Sequence, residues 1–212
     1  MGSVLIVQNF RTMDLQPVIL EGAHVRLEPL TMEHLPGLCE IGLDPDLWRW
    51  TPNIVRTPED MRVYVQTALR AQEQGTALPF VTREQLSGFI IGSTRLANYD
   101  SDNMGVEIGW TWIARRWQRT PVNTEAKYLM LTHAFEKLGC IRVQLKTDFL
   151  NARSRSAILR LGAREEGILR NDRLTYTGRI RNTVYYSIIN SEWPFVKAQL
   201  EDMLQRPFEH KP

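Results

Sequence analysis

Three arginines, a glutamine, two threonines and a proline crowd the run Arg115-Arg116-Trp117-Gln118-Arg119-Thr120-Pro121-Val122-Asn123-Thr124. A strand enters this run and a long helix leaves it. At the front of that helix Thr120 is placed to cap. Pro121 is placed to take the first helical position, where a missing N–H and a fixed φ do no harm. The free N–H groups of the first turn, the helix dipole and Arg115, Arg116 and Arg119 would together hold a phosphate or pyrophosphate. On the entering strand Glu107 is the best-placed acid-base group. A carboxylate there either accepts a proton or is simply solvated on a half-exposed strand.

The strand spans 105–113, with Val106, Ile108, Trp110 and Trp112 on one face and Glu107, Gly109, Thr111 and Ile113 on the other. The helix runs over about 120–138. Its apolar positions Val122, Ala126, Leu129, Met130, Ala134 and Leu138 recur every three or four residues, so one stripe packs on a sheet, and Gly139 stops it.

From 105 to 163 these residues resemble the GNAT superfamily of acetyl-CoA-dependent N-acetyltransferases. Gln118 opens the loop pattern Gln/Arg-x-x-Gly-x-Gly/Ala, with Pro121 and Asn123 standing at its small-residue positions. Glu107-Ile108-Gly109-Trp110 before the loop and Thr124-Glu125-Ala126 after it resemble the branch that acetylates the N-terminal alanine of ribosomal proteins. Asn151-Ala152-Arg153-Ser154 and Leu161-Gly162-Ala163 resemble it further on. The likeness extends over roughly 19–193. It implies an α/β (α+β) fold with a mixed, largely antiparallel central sheet, helices on both faces and a splayed strand pair that binds acetyl-CoA. It also implies a single domain over 1–212, with 1–18 an N-terminal extension and 205–212 a loose tail.

The resemblance assigns roles. Acetyl passes directly from acetyl-CoA, a co-substrate, to a primary amine. Glu107 serves as the acid-base group. Ser154 contacts the thiolate by hydrogen bonding, water completing the proton transfer, because serine is a poor acid. Many members carry a tyrosine one helical turn later, where this chain has Ile158. Backbone groups of Trp112 and Ile113 pair with the pantetheine arm as an added strand would. Gln118 opens the cofactor-binding loop, and Arg119, Thr120, Val122, Asn123 and Thr124 take the pyrophosphate. Asn151 and Arg153 flank the pantetheine or adenosine, and Asn151 is at the same time a helix cap. The acceptor is an α-amine of a protein or peptide N-terminus. A small-molecule amine such as an amino acid or antibiotic, and a non-catalytic acyl-CoA-binding module on the same fold, are the alternatives.

The chain has 212 residues, 43% of them hydrophobic, which fits one globular core. A net charge of +2 makes no general case for nucleic acid or membrane binding. The charge is uneven: 142–181 holds ten Lys or Arg against four Asp or Glu. That stretch is either a solvated basic face or a patch serving a phosphorylated cofactor. Cys39 and Cys140 read as small core residues, and His24, His34, His133 and His210 are scattered without paired-ligand spacing, so no metal site is expected. No Walker loop, dinucleotide fingerprint or Gly-x-Ser-x-Gly elbow occurs. With neither a basic leader nor a membrane-length apolar run, a soluble cytoplasmic protein is expected, as a monomer or a homodimer.

The remaining elements read coarsely. A strand over 22–30 leads to a helix over 31–42 capped by Thr31, then a helical turn over 44–50. Thr57-Pro58-Glu59-Asp60 starts a helix that continues to about 75. Strands follow over 78–82 and 89–96, with a polar hairpin loop over 98–103. Beyond the central helix come a strand with Val143 and Leu145 on its dry face, a helix over 151–161 ended by Gly162, strands over 164–170 and 183–190, and a last helix over 191–204.

Overall fold

The computed structural model describes residues 15–207. Most of the expected N-terminal extension and of the C-terminal tail lies outside them. Eight strands form one sheet in the order β1-β2-β3-β4-β5-β6-β8-β7. They are β1 (Leu20–Glu21), β2 (Val25–Pro29), β3 (Ala77–Glu84), β4 (Ile90–Asp100), β5 (Gly105–Ile113), β6 (Arg142–Asp148), β7 (Arg164–Leu174) and β8 (Ile180–Ile189). All neighbours pair antiparallel except β5 and β6, which run parallel.

Five α-helices cover the sheet: α1 (Leu35–Gly42), α2 (Pro58–Glu73), α3 (Val122–Thr132), α4 (Ala152–Arg160) and α5 (Trp193–Gln205). Their starts follow local rules. Thr57 accepts from the Asp60 N–H while Asp60 reaches back to the Thr57 N–H, and Pro58 follows the cap, so a capping box closes the expected helix start. On one face α3, α4 and α5 bury Val106, Ile108, Val143, Leu145 and Tyr186 with Val122, Ala126, Met130, Ile158 and Val196. On the other, α1 and α2 bury Val81 and Trp112 with Leu38, Met61, Val65 and Trp48. The mixed, largely antiparallel sheet covered on both faces is the fold class the resemblance implied.

Two features of β5 position the site. The first is its parting from β6. The strands pair only at Gly105↔Arg142, Val106↔Val143 and Glu107↔Gln144, while β4 holds β5 as far as Gly92↔Ile113 and β8 holds β6 as far as Asp148↔Thr183. Each strand thus stays with its own half of the sheet, and a wedge opens between Ile108–Ile113 and Leu145–Asp148.

The second feature corrects the expected alternation. Trp112 pairs with Ser93 and Gly109 with Arg95, so Trp110 and Thr111 together face the single residue Thr94. This bulge, with Trp110 at φ +50°, adds one residue and exchanges the two faces beyond it. Trp112 therefore turns to the α1/α2 face, its ring 5.6 Å from that of Trp48, and does not share the side of Val106 and Ile108. Ile113 joins the α3 face in its place, and Trp110 is largely exposed.

Candidate active site

The helix after β5 starts one residue later than its cap-like residues suggest. Thr120 donates its hydroxyl to the Trp117 carbonyl at 2.7 Å and caps nothing, and Pro121 is the residue before the helix, its carbonyl accepting from the Glu125 N–H at 2.9 Å. The N–H groups of Val122, Asn123 and Thr124 precede that first helical bond, so a proline at this place removes none of the donors that follow it. Arg119 stands exposed just ahead of them at φ +63°, a left-handed turn that a residue bearing a Cβ adopts only when its surroundings impose it. Arg115 is turned away. It pairs with Asp44 at 2.9 Å and with Asp46, tying the end of β5 to the turn after α1. Arg116 lies over the Trp117 ring at 5.3 Å. Of the three arginines, Arg119 is the one left beside the helix start.

Gln118 crosses the mouth of the wedge. Its Nε2 donates to the Ile113 carbonyl at 2.8 Å, and its Oε1 accepts from Arg153 Nη1 at 3.5 Å. The Ala114 N–H donates to Ile91 O, which makes Ile113↔Gly92 a non-hydrogen-bonded pair, so the polar groups of Ile113 point into the wedge. Those of the next residue back, Trp112, point at β4. Thr124 is buried, and its hydroxyl accepts from Arg160 Nη2 at 2.9 Å, leaving its N–H as the group it can offer an anion.

Glu107 sits at the apex of the wedge, on the face covered by α1 and α2. It is 3% exposed, which removes the reading of a solvated surface acid. Its Oε2 accepts from Asn98 Nδ2 at 2.8 Å and Gln144 Nε2 at 3.4 Å, and forms an ion pair with Lys146 Nζ at 2.8 Å. Burial of a charged carboxylate is tolerable with such partners and expensive without them. Lys146 comes from β6 beyond the last strand pair, so its side chain spans the gap, and the Tyr185 ring on β8 lies 5.8 Å from its Nζ. Sequence reasoning missed Lys146. The signal available was its two-residue offset from Gln144, the register partner of Glu107.

The α1–α2 connection roofs this face. Trp48 packs on Trp112 of β5 and Tyr64 of α2, while the Trp50 carbonyl accepts from Arg181 of β8 at 3.4 Å. On the far wall Asn151 Oδ1 accepts from the Ser154 N–H at 3.1 Å and caps α4, placing Ser154 in its first turn and leaving the Arg153 side chain outside. Ile158, one turn on, is buried in the core.

A second lysine was not foreseen at all. Lys127 of α3 is buried under the bulge, its Nζ 2.6 Å from Thr111 Oγ1 and 3.1 Å from Thr94 Oγ1. Desolvation pushes its pKa down to about 7. Its helix neighbour Glu125 is buried too, its two oxygens accepting the N–H groups of Ala23, His24 and Val25 at 2.6–2.9 Å. That grip sews the β1–β2 hairpin to α3. A Cβ on Gly22 would stand 2.4 Å from the Glu125 carboxyl carbon.

Comparison with known proteins agrees with this geometry. A model of the acetyltransferase (GNAT) domain matches residues 24–164. YdaF of Bacillus subtilis (strain 168), a candidate ribosomal N-acetyltransferase, is 37% identical over 106 residues, a match covering 50% of this chain and 57% of that one. The structure of a GCN5-related N-acetyltransferase from Brucella melitensis superposes with a TM-score of 0.82 at 29% identity, over 89% of this chain and 86% of that one. Mycobacterium smegmatis RimJ in complex with CoA-disulfide gives a TM-score of 0.74 at 22% identity, over 88% and 92% of the two chains. With its family model matched over well more than half its length, and with the strand wedge and helix start in place, the chain belongs to the GNAT family of acetyltransferases.

Proposed function

We propose that the protein carries an acetyl group from acetyl-CoA directly to a primary amine, the preferred acceptor being the α-amine of a peptide or protein N-terminus. The observation that carries the reading is the wedge itself: a buried carboxylate at its apex, outward-facing backbone at Ile113, and a helix start with three leading N–H groups at its mouth. The CoA seen with the RimJ neighbour and the ribosomal name of YdaF point the same way.

In this reading the pyrophosphate lies against Arg119, Thr120 and the N–H groups of Val122, Asn123 and Thr124. Gln118 and the Ile113 backbone face the pantetheine, with Asn151 and Arg153 opposite. Gln118 first gives up its bond to the Ile113 carbonyl or shares it. The acceptor approaches from the α1/α2 face, beneath the Trp48–Trp50 turn, where Glu107 accepts its proton directly or through water. Ser154 hydrogen-bonds the sulfur from the far wall.

The preference for an α-amine follows from the chemistry of the attack. A thioester is attacked by the neutral amine, and reference pKa values of about 7.8 for an α-amine and 10.4 for lysine differ by roughly 3.5 kcal/mol of deprotonation free energy near neutral pH. One carboxylate is a modest base and suits the easier of the two. Thiol release from acetyl-CoA tests both levels, with lysine-free peptides bearing a free N-terminus set against N-blocked peptides containing lysine and against small amines. Higher kcat/KM for the free N-terminus is the expected result. Faster turnover of blocked lysine peptides or small amines would overturn the acceptor assignment. Absence of release with every amine, alongside measurable CoA binding, would favour a binding module.

A further inference from the structure

We propose that Lys146 and Glu107 form a proton-exchange couple across the wedge, Glu107 taking the proton of the attacking nitrogen and Lys146 giving one to the departing CoA sulfur. The proposal rests on the acetyl-transfer reading and supplies the acid that reading lacks. A thiolate leaves only as fast as it is protonated or otherwise stabilised, and the positions expected to help it are weak. Ile158 is buried in the core, and the Ser154 hydroxyl is a poor acid.

Lys146 has the right placement. Glu107↔Gln144 is the last pair joining β5 to β6, and Lys146 lies two residues further on, on the same face of β6, where the strands have already parted. Its Nζ reaches back across the gap to Glu107 Oε2 at 2.8 Å, and its side chain keeps 16% exposure where that of Glu107 keeps 3%. The ammonium therefore fronts the opening while the carboxylate lies behind it.

Glu107 is also arranged for the exchange. Its two hydrogen bonds and its ion pair with Lys146 all fall on Oε2, and Oε1 makes no hydrogen bond among the described residues. Oε1 lies beside Gly109, where a Cβ would come within 2.9 Å of it. One oxygen thus stays in contact with Lys146 while the other is available to the acceptor.

The protons balance without an outside donor. A neutral amine attacks the thioester carbon, the C–N bond forms and the C–S bond breaks. The nitrogen's proton passes to Glu107 Oε1 as the Lys146 ammonium protonates the sulfur. Glu107, now a neutral acid, turns its carboxyl so that the protonated oxygen takes the place of Oε2 beside Lys146, hands its proton to the neutral Lys146 amine, and both groups return to their starting charge. The products are the acetamide and the free CoA thiol.

Thiol-release kinetics of the full chain with acetyl-CoA and a peptide of free N-terminus test the couple, using Lys146→Arg, Lys146→Met, Glu107→Gln and the double variant Glu107→Gln/Lys146→Met. A guanidinium keeps the charge and the contact with Glu107 but does not surrender a proton. Lys146→Arg is therefore expected to bind CoA normally by calorimetry and to keep both KM values within about threefold, with kcat down on the order of a hundredfold. The double variant should be no slower than the slower single variant, because either change breaks the same exchange. A Lys146→Arg enzyme with wild-type kcat, or single losses that multiply in the double variant, would overturn the couple while leaving acetyl transfer intact. A wild type that releases no thiol would overturn the parent reading and the couple with it.

Discussion

Two lysines flank β5, one on each side of the sheet, and they live under opposite rules. Lys146 faces a carboxylate, keeps part of its side chain at the opening and stands where two strands have separated. Lys127 lies beneath the bulge on the α3 side with two threonine hydroxyls and no acid, and burial alone shifts it. The first arrangement holds two opposite charges within proton-transfer distance of each other. The second stores a buried titratable amine that bridges Thr94 of β4 to Thr111 of β5 across the inserted residue. A lysine close to a reaction centre is thus not by itself a catalytic one. What distinguishes the pair is a partner able to exchange protons and access to the wedge, and three further substitutions bear on that difference.

The largest effect is expected on stability, at Lys127. Its pKa is about 7 in the folded chain against an ordinary value of 10.5. The unfolded chain therefore holds its proton throughout the interval in which the folded chain has released it. Between about pH 7 and 10.5 unfolding takes up a proton, so stability attributable to this site rises with pH, by at most about 1.4 kcal/mol per unit. Below about pH 7 both states are protonated and the burial penalty is complete. Lys127→Met removes the penalty at the cost of two hydrogen bonds worth about 1 kcal/mol each. The variant should gain most over wild type near pH 6, by a few kcal/mol, and the gain should shrink steadily toward pH 10, with kcat at pH 8 within about threefold of wild type. Denaturant titrations across that range check the first statement. A difference that stays level with pH would show that the buried ammonium carries no penalty, and a collapse of kcat in a folded variant would bring the α3 side of β5 into the chemistry.

On the other face the sensitive position carries no side chain. Gly109→Ala places a methyl 2.9 Å from Glu107 Oε1, and because that oxygen ends a flexible side chain the carboxylate can swing aside. The fold should tolerate the change, while kcat should drop roughly tenfold, about 1.4 kcal/mol, as Oε1 leaves the acceptor side. CoA affinity, which the proposed reading assigns to the far end of the wedge, should not change. Unaltered kcat would mean that Oε1 is not the receiving oxygen.

Those two positions also mark where the sequence is readable and where it is not. The bounds of β5 and the order strand, loop, helix follow from local patterns, namely apolar alternation, the polar residues 98–103 before it, of which the first three extend β4, and Pro121 after it. The capping boxes and the glycines at 139 and 162 are equally local, and both glycines adopt the left-handed turns expected of helix ends, at φ +69° and +93°. The bulge is different. It is built at Trp110, not at a glycine, and nothing in the pattern Trp-Thr-Trp-Ile announces that the faces exchange there. Thr120 looks like a cap but bonds backward to Trp117, since the loop closes as a short 3₁₀ turn over Arg115–Trp117 before the helix begins. Lys127 reads as a solvent position on an amphipathic helix until Thr94 and Thr111, from two different strands, are seen to meet it. Lys146 reads as the wet side of an alternating strand because the partner that claims it belongs to the other half of the sheet. Thr120 apart, whose bond is local, each missed feature depends on a contact made across the wedge or through the sheet, and spacing along the chain does not encode such contacts.

The smallest expected effect lies at the mouth of the wedge, at Pro121. Since the helix starts at Val122, the proline sits just ahead of the leading N–H groups and withholds one donor, its own. Pro121→Gly would restore that N–H beside the proposed pyrophosphate site. It would also free a residue that now rests at φ −61° and ψ −21°, close to helical values, next to Arg119 in its left-handed turn. A new hydrogen bond to a charged group contributes about 1.5–3 kcal/mol, and the added freedom of the unfolded or unbound loop takes back about 1 kcal/mol or less. The bond must further compete with water at a partly exposed site, so the two effects should leave CoA affinity within tenfold of wild type, or about 1.4 kcal/mol. Calorimetric titration of CoA into both proteins measures the difference directly. A loss much beyond tenfold would show that the ring itself holds the Arg119 turn in its binding shape, and that the loop has exchanged the flexibility of glycine for a fixed approach to the helix.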